Sequence, residues 1–386
     1  MKNLELYIHI PFCEKKCNYC DFISFHPNYD TILEYVLKLL DEIKCKKFLS
    51  NDYVISSIYI GGGTPSYIDE RFINSILKCI FDNYNISSDA EISIEVNPNS
   101  ATLEKLKLYY DSGINRLSIG LQSTNDNELK ILGRIHNYND FLNTYDNAIC
   151  AGFNNINVDL INGIPCQTPI SFKKSLEQVL ILNITHISIY NLIVEDNTKL
   201  KKMLSNNEIL LPKESDLLEM DKITKELTSH YKFNRYEISN YAKSGFECRH
   251  NLGYWSDVPY LGFGLNSASY INNKRYKNKI KLNDYMNLNY KNYIDVKEHY
   301  DYYETIENID KKNHINEFLM LGFRKIEGIN TKTFYNIFNE NFENLFDKGL
   351  KFYQSMGLIN KINDNYFLTD NGLDLSNTII SDLMLK

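Results

Sequence analysis

The stretch "CEKKCNYCDF", residues 13 to 22, carries thiols at Cys13, Cys17 and Cys20, with Phe22 following rather than a fourth cysteine. Thiolates are soft ligands suited to an iron–sulfur cluster or to zinc. On a four-iron cluster, three of them leave one iron without a protein ligand and open to a substrate or cofactor. Positions 13, 17 and 20 also lie on one helix face, where free cysteines pack well in cores. Glu14, Lys15, Lys16 and Asn18 make the stretch polar and Pro11 disfavours an early helix, so ligation is the stronger reading. A zinc site completed by His26 stays open as the alternative, although the paired-cysteine spacing of zinc modules is absent.

Two further stretches carry candidate chemistry. In "IYIGGGTPS" the glycines at 61, 62 and 63 follow a predicted strand and permit a backbone approach that a Cβ would obstruct. Alone, the triplet serves equally as a tight connection, and it matches neither the P-loop nor the dinucleotide fingerprint. "HNLGYW", residues 250 to 255, holds the single tryptophan of the chain. A neutral histidine can coordinate iron, and Tyr254 and Trp255 can cover an apolar macrocycle. Read in isolation, the same residues are ordinary aromatic packing. Cys248 is a second thiol beside this motif; like Cys45, Cys79, Cys150 and Cys166, it reads by default as packed or incidental.

These residues need a scaffold, and the alternation of short apolar runs with helix-length segments supplies one. Strands are expected at 6–10, 57–61, 91–96, 116–121, 156–161 and 186–192, and helices near 31–48, 69–82, 102–111, 139–150 and 171–182. Six βα units predict an open, partial TIM-like (β/α)6 barrel in an α/β fold, with a doubly wound sheet as the second choice. Both place ligands at the carboxyl ends of the strands, where the cysteines and the glycine turn fall. After "RYEISNYA" the alternation fails. We expect a barrel domain over 1–240, a connecting and covering segment over 241–312 that includes the Tyr/Asn/Lys-rich stretch 272–312, and a small α+β winged-helix-like module over 313–386. That module has no concentrated basic recognition helix, so nucleic acid is not expected as a partner.

Composition narrows the class. Hydrophobic content of 43% and charged content of 24% are ordinary for a soluble protein, and a net charge of -7 gives no general attraction to nucleic acid or anionic lipid. No apolar run reaches the roughly 20 residues of a membrane span. The strand-like "LELYIHI" begins within four residues of Met1, so no signal or transit peptide is expected. Cysteines scattered through a long chain suggest a reducing cytoplasm.

"CEKKCNYC" matches the CxxxCxxC pattern of the radical S-adenosylmethionine (SAM) superfamily. With "YIHIPFC", "GGGTPS", "EVNP", "RLSIGLQS", "LGRIH", "VDLINGIP" and "HNLGYW" in order, the whole chain resembles the oxygen-independent coproporphyrinogen oxidase-like family, particularly its haem-chaperone (HemW-type) branch. The resemblance implies a [4Fe-4S] cluster on Cys13, Cys17 and Cys20, whose open iron is chelated by SAM. It carries Tyr7, Gly62, Gly63, Thr64, Glu95, Gln122, Arg134 and Asp159 over as SAM-pocket residues, and His250 as the axial haem ligand. It also implies a protein acceptor for haem and, if SAM is cleaved, an electron donor such as flavodoxin or ferredoxin; it permits a homodimer and transient membrane association. Coproporphyrinogen dehydrogenases carry an extra cysteine two positions after the third cluster cysteine, where Phe22 stands here, and a longer N-terminal extension. That departure favours haem handling over oxidative decarboxylation, with a radical SAM oxidoreductase acting on a tetrapyrrole as the alternative.

Overall fold

A computed structural model describes residues 1–290 and 300–386; within the Tyr/Asn/Lys-rich stretch, 291–299 lie outside the described residues. The six expected strands form and run parallel in chain order: β1 (Lys2–Ile10), β2 (Tyr53–Gly62), β3 (Ile86–Val96), β4 (Arg116–Gln122), β5 (Ile156–Asn162) and β6 (His186–Asn191). The helices that follow include α1 (Tyr29–Lys46), α2 (Glu70–Asn83), α3 (Leu103–Asp111), α4 (Asp126–Leu132), α5 (Tyr138–Ala151), α6 (Pro169–Leu180), α7 (Lys199–Ser205) and α8 (Glu214–His230). Of these, α4, α7 and α8 were not among the sequence expectations. Side-chain caps mark several starts, as at Asn137 and Thr168, and left-handed Gly152 stops α5.

Each strand is two-faced, with a period of two. Leu4, Leu6, Ile8 and Ile10 alternate with Glu5, Tyr7 and His9 on β1; Ile58 and Ile60 alternate with Ser57 and Tyr59 on β2. The aliphatic set belongs to the principal hydrophobic core, which also takes in helix residues such as Leu39, Ile76, Tyr109 and Leu176. The other set is polar and mutually hydrogen-bonded: Tyr59 with Glu95, Asn157 with Ser118 and Asp159, His186 with Asn157. The inside of this partial barrel is therefore a buried polar surface, whereas a closed eight-stranded barrel fills its interior with branched apolar side chains.

The sheet grows beyond the six units to twelve strands. On one edge, β7 (Asn234–Arg235) pairs with β8 (Asn240–Ala242), which runs antiparallel to β6. On the other, β9 (Tyr260–Phe263) lies parallel to β1, and β10 (Ala268–Ile271), β11 (Lys274–Asn278) and β12 (Tyr303–Asn308) continue antiparallel. Much of the expected covering segment is thus part of the main sheet, and its Tyr276, Tyr285 and Tyr303 join the main core. A second core, from Ile315 to Leu383, holds helices 311–322, 331–338 and 342–355 against a three-stranded sheet of 329–330, 365–368 and 359–362. Among the described residues, no helix is long and apolar enough to cross a membrane.

Candidate functional site

The cysteine loop leaves β1 and is pinned by backbone hydrogen bonds on both sides. Cys13 N donates to Phe25 O at 2.9 Å and Phe25 N to Pro11 O at 2.9 Å, while Gly63 N and Thr64 N donate to Ile10 O and Phe12 O. Asn18, between the second and third cysteines, is buried; its amide nitrogens reach Leu132 O and Ile131 O, and Leu200 N donates to its carbonyl. Three distant segments therefore hold a loop that has little regular structure of its own.

Cys13, Cys17 and Cys20 share a pocket of about 190 Å³ with Gly62, Gly63, Thr64, Glu95, Gln122, Arg134 and Asp159, which come from the ends of β2, β3 and β4, the middle of β5 and the segment after α4. All the expected cluster and SAM residues except Tyr7 meet here. A Cβ at Gly63 would lie 2.9 Å from Cys13 Sγ and 2.8 Å from Phe12 O, so the loop and the glycine turn fit only in this form. Thr64 Oγ1 donates to Cys13 Sγ at 3.5 Å, and Arg134 donates to Cys17 Sγ at 3.5 Å and to Gly120 O at 2.6 Å. Arg134 Nε is buried without a partner. Burial pushes the Cys13 and Cys20 thiols up, so metal binding here displaces protons.

The donor set fits a cluster better than zinc. A zinc ion needs its ligands to converge on one atom, whereas a four-iron cluster spreads three thiolates over three irons. Among the described residues, no group of three or more His, Cys, Asp or Glu side chains could hold one metal ion. His26, the fourth ligand of the zinc alternative, sets its Nδ1 3.3 Å from the carbonyl oxygen of Cys13 and 3.4 Å from the Tyr67 hydroxyl.

Two carboxylates complete the pocket. Glu95 accepts from the Tyr59 hydroxyl and the Gly62 amide, each at 3.1 Å; burial and the nearby Asp159 charge raise its pKa to about 7. Asp159 accepts from Asn157 at 2.8 Å and from Ser118 at 3.4 Å, and burial pushes it up as well. Both are prepared to accept hydrogen bonds from a cationic or hydroxylated guest.

A cavity of about 640 Å³ adjoins this pocket and shares Phe22, Gly62 and Glu95 with it. Tyr7 and His9 line it from β1, Tyr254, Tyr260 and Tyr270 from the segments beyond the barrel, and Glu317 and Met320 from helix 311–322. Tyr7 is thus a wall of this larger space rather than of the thiol pocket. Phe22, 60% exposed, stands where the two spaces meet. The sequence reading overlooked His9, Tyr260 and Tyr270; the available signal was His9 two residues after Tyr7, on the same strand face.

"HNLGYW" forms the body of a short helix, α9 (Arg249–Trp255), which plugs the polar interior near the strand starts. Glu91 caps it: its carboxylate accepts from the Arg249 and His250 amides at 3.1 and 3.2 Å. His250 is 1% exposed, with Nδ1 2.8 Å from Ser57 Oγ and Nε2 3.1 Å from the Tyr254 hydroxyl. Neither ring nitrogen is free, so the axial role expected from the sequence requires one of these bonds to break. Burial holds the imidazole neutral, at a pKa of about 3. Trp255 packs beneath Arg324 of the C-terminal module.

Next to this plug, burial raises the Glu5 pKa from 4.5 to about 9. The folded chain thus binds this proton more tightly than the unfolded chain, and stability falls as pH rises from the unfolded value toward the folded one. Glu5 alone removes about 4 kcal/mol between about pH 5 and pH 8. Glu5→Gln, which keeps the shape, is expected to flatten that slope in denaturant titrations across this range. An unchanged slope would refute the protonated Glu5.

Residues 7–179 match the radical SAM superfamily, and residues 309–375 match the HemN C-terminal domain. A Bacillus subtilis protein named heme chaperone HemW is 34% identical over 376 residues, covering 97% of each chain. The chain belongs to the HemW family of radical SAM proteins. The Escherichia coli HemW relative is 35% identical over 266 residues, 68% of each chain. Among solved structures, coproporphyrinogen III oxidase (HemN) from Escherichia coli superposes with a TM-score of 0.82 at 24% identity, over 99% of this chain and 90% of that one. The chain thus has the HemN fold, including the partial barrel and the C-terminal module. Membership of the radical SAM superfamily implies a [4Fe-4S] cluster and SAM, which the thiol pocket fits.

Proposed function

We propose that this chain binds haem and passes it to an acceptor protein, using a radical SAM core that holds a [4Fe-4S] cluster and SAM. The observation that carries the reading is the pair of adjoining spaces: a small thiol-lined pocket and a larger aromatic-walled cavity, meeting at Phe22. The curated relatives across the full chain length are named heme chaperones, which supports the same choice.

In this reading Cys13, Cys17 and Cys20 hold the cluster. Gly62, Gly63 and Thr64 admit SAM by backbone approach, Glu95 and Asp159 accept from its amino and ribose groups, and Arg134 and Gln122 meet its carboxylate. When bound, cluster and SAM together supply one-electron chemistry at the sulfonium. His250 holds the Tyr254 hydroxyl, and Tyr254 presents its ring to the larger cavity. An electron donor is needed only if SAM is cleaved.

The oxidoreductase reading is disfavoured by Phe22, an exposed aromatic where that branch carries a cysteine. The test is anaerobic purification with iron, sulfide and zinc analysis. Haem titration and transfer to a haem-free acceptor follow, beside a search for 5'-deoxyadenosine and decarboxylated porphyrinogen. We expect cluster iron, haem retention and transfer. Decarboxylated product without haem retention would overturn the proposal in favour of the oxidoreductase.

A further inference from the structure

We propose that Arg134, in addition to its place in the SAM reading, sets the reduction potential of the cluster by holding a positive charge against the sulfur of Cys17. The inference rests on the cluster reading above and gives one of its residues a second task as a positioning and tuning group. Three observations carry it. First, the contact is charge-assisted and directed at one thiol. Arg134 Nη1 donates to Cys17 Sγ at 3.5 Å, whereas Cys13 takes a neutral hydroxyl, that of Thr64, at the same distance. A guanidinium stays protonated at every pH the protein meets, and hydrogen bonds from ionised donors are the stronger class.

Second, no carboxylate neutralises that charge by direct contact. The arginine ion pairs among the described residues belong to Arg71, Arg249 and Arg275. The other partners of Arg134 are the carbonyl oxygen of Gly120, 2.6 Å from Nη2, and the Tyr19 hydroxyl, both uncharged.

Third, the backbone fixes the arginine beside the cysteine loop. Gly133, at φ +74°, closes α4, and a Cβ there would lie 2.7 Å from the Asn18 side chain. Asn18, the residue after Cys17, in turn donates to Leu132 O and Ile131 O. Residues 131–134 and the loop are thus latched together, and the bond from Nη2 to Gly120 O keeps the fork from turning away. Taking up one electron from a low-potential donor makes a cluster more negative. A cation held against one of its sulfurs therefore favours the reduced form and raises the potential, as hydrogen bonds to the sulfurs also do. No bond breaks and no proton moves at Arg134.

The experiment uses the full-length chain, purified anaerobically and titrated reductively with redox mediators while the cluster is followed by EPR. SAM is left out, so that the loss of a partner for its carboxylate does not enter. Arg134→Gln should hold its iron and sulfide yet lower the reduction equilibrium by about tenfold or more, which for one electron is a potential about 59 mV more negative. Arg134→Lys, which restores the charge, should recover most of that shift; a purely structural role would change cluster content and not the potential. A glutamine variant with full iron and the wild-type potential overturns the inference alone, as does a lysine variant no closer to wild type than the glutamine one. If Arg134→Gln holds no cluster, wild type grown on nitrogen-15-labelled arginine decides. Coupling of an arginine nitrogen to the reduced cluster in pulsed EPR supports the contact, and its absence overturns it. A wild-type chain that holds no cluster iron overturns the cluster reading together with the inference.

Discussion

Cys17→Ser should strip the chain of its cluster, lowering iron and acid-labile sulfide after anaerobic purification by more than about tenfold, since loss of a direct ligand exceeds the usual effect of losing an outer partner. A serine hydroxyl is a hard, neutral donor where the iron requires a soft thiolate. The substitution also removes the sulfur that Arg134 contacts at 3.5 Å, leaving that buried guanidinium with Gly120 O as its nearest protein acceptor. SAM retention should fall with the iron, because chelation at the open iron and the pocket contacts act on one ligand. Wild-type iron and sulfide in the serine variant would defeat the cluster assignment, and with it the reading of the whole thiol pocket.

Gly253→Ala should be strongly destabilising. An added Cβ would stand 1.8 Å from Glu5 Oε1 and 2.3 Å from Glu5 Cδ, with Glu5 fixed in β1 and itself buried. Relief requires either the buried Glu5 carboxylate to leave its place or α9 to shift from its seat on Glu91 and Ser57. The expected loss is on the order of 3 kcal/mol, read as a lower denaturation midpoint. Glu5→Ala should recover part of it in the double variant, because the two positions share one volume. Stability within about 0.5 kcal/mol of wild type would mean that α9 does not sit on β1 as described.

The same helix shows why some of the site could be read from residue order and some could not. The loop cysteines, the glycine turn and "EVNP" each sit within a few positions of a strand end, and an α/β fold brings strand ends together whatever the details of packing. Their convergence in one pocket was therefore legible before any coordinates, as were the six strands whose β-branched runs mark them locally. "HNLGYW" is different. It lies far along the chain from the strands it touches, and nothing near residue 250 announces that Ser57 and Glu91 will occupy its hydrogen-bonding groups or that Glu5 will lie against Gly253.

His250 was a reasonable iron ligand by residue type, and the folded chain engages both of its nitrogens. Arg134 lay inside a quoted motif, yet its contact with Cys17 could not be read there, because the fold alone brings the two together. The joining of β9 to β1 belongs with these cases: it pairs residues 5–8 with 260–263, and four short strand residues give no local sign of which edge they will meet.

Hydrophobic period, turn residues and thiol spacing act over a few residues, so the chain's order alone was enough for the βα alternation, the class of barrel and the grouping of thiols at its mouth. Which polar atoms end up satisfied, how the larger cavity is walled, and where α9 seals the interior depend on contacts between segments more than a hundred residues apart. Those contacts exist only once the chain has closed on itself, because burial and hydrogen-bond competition are properties of the whole packed surface.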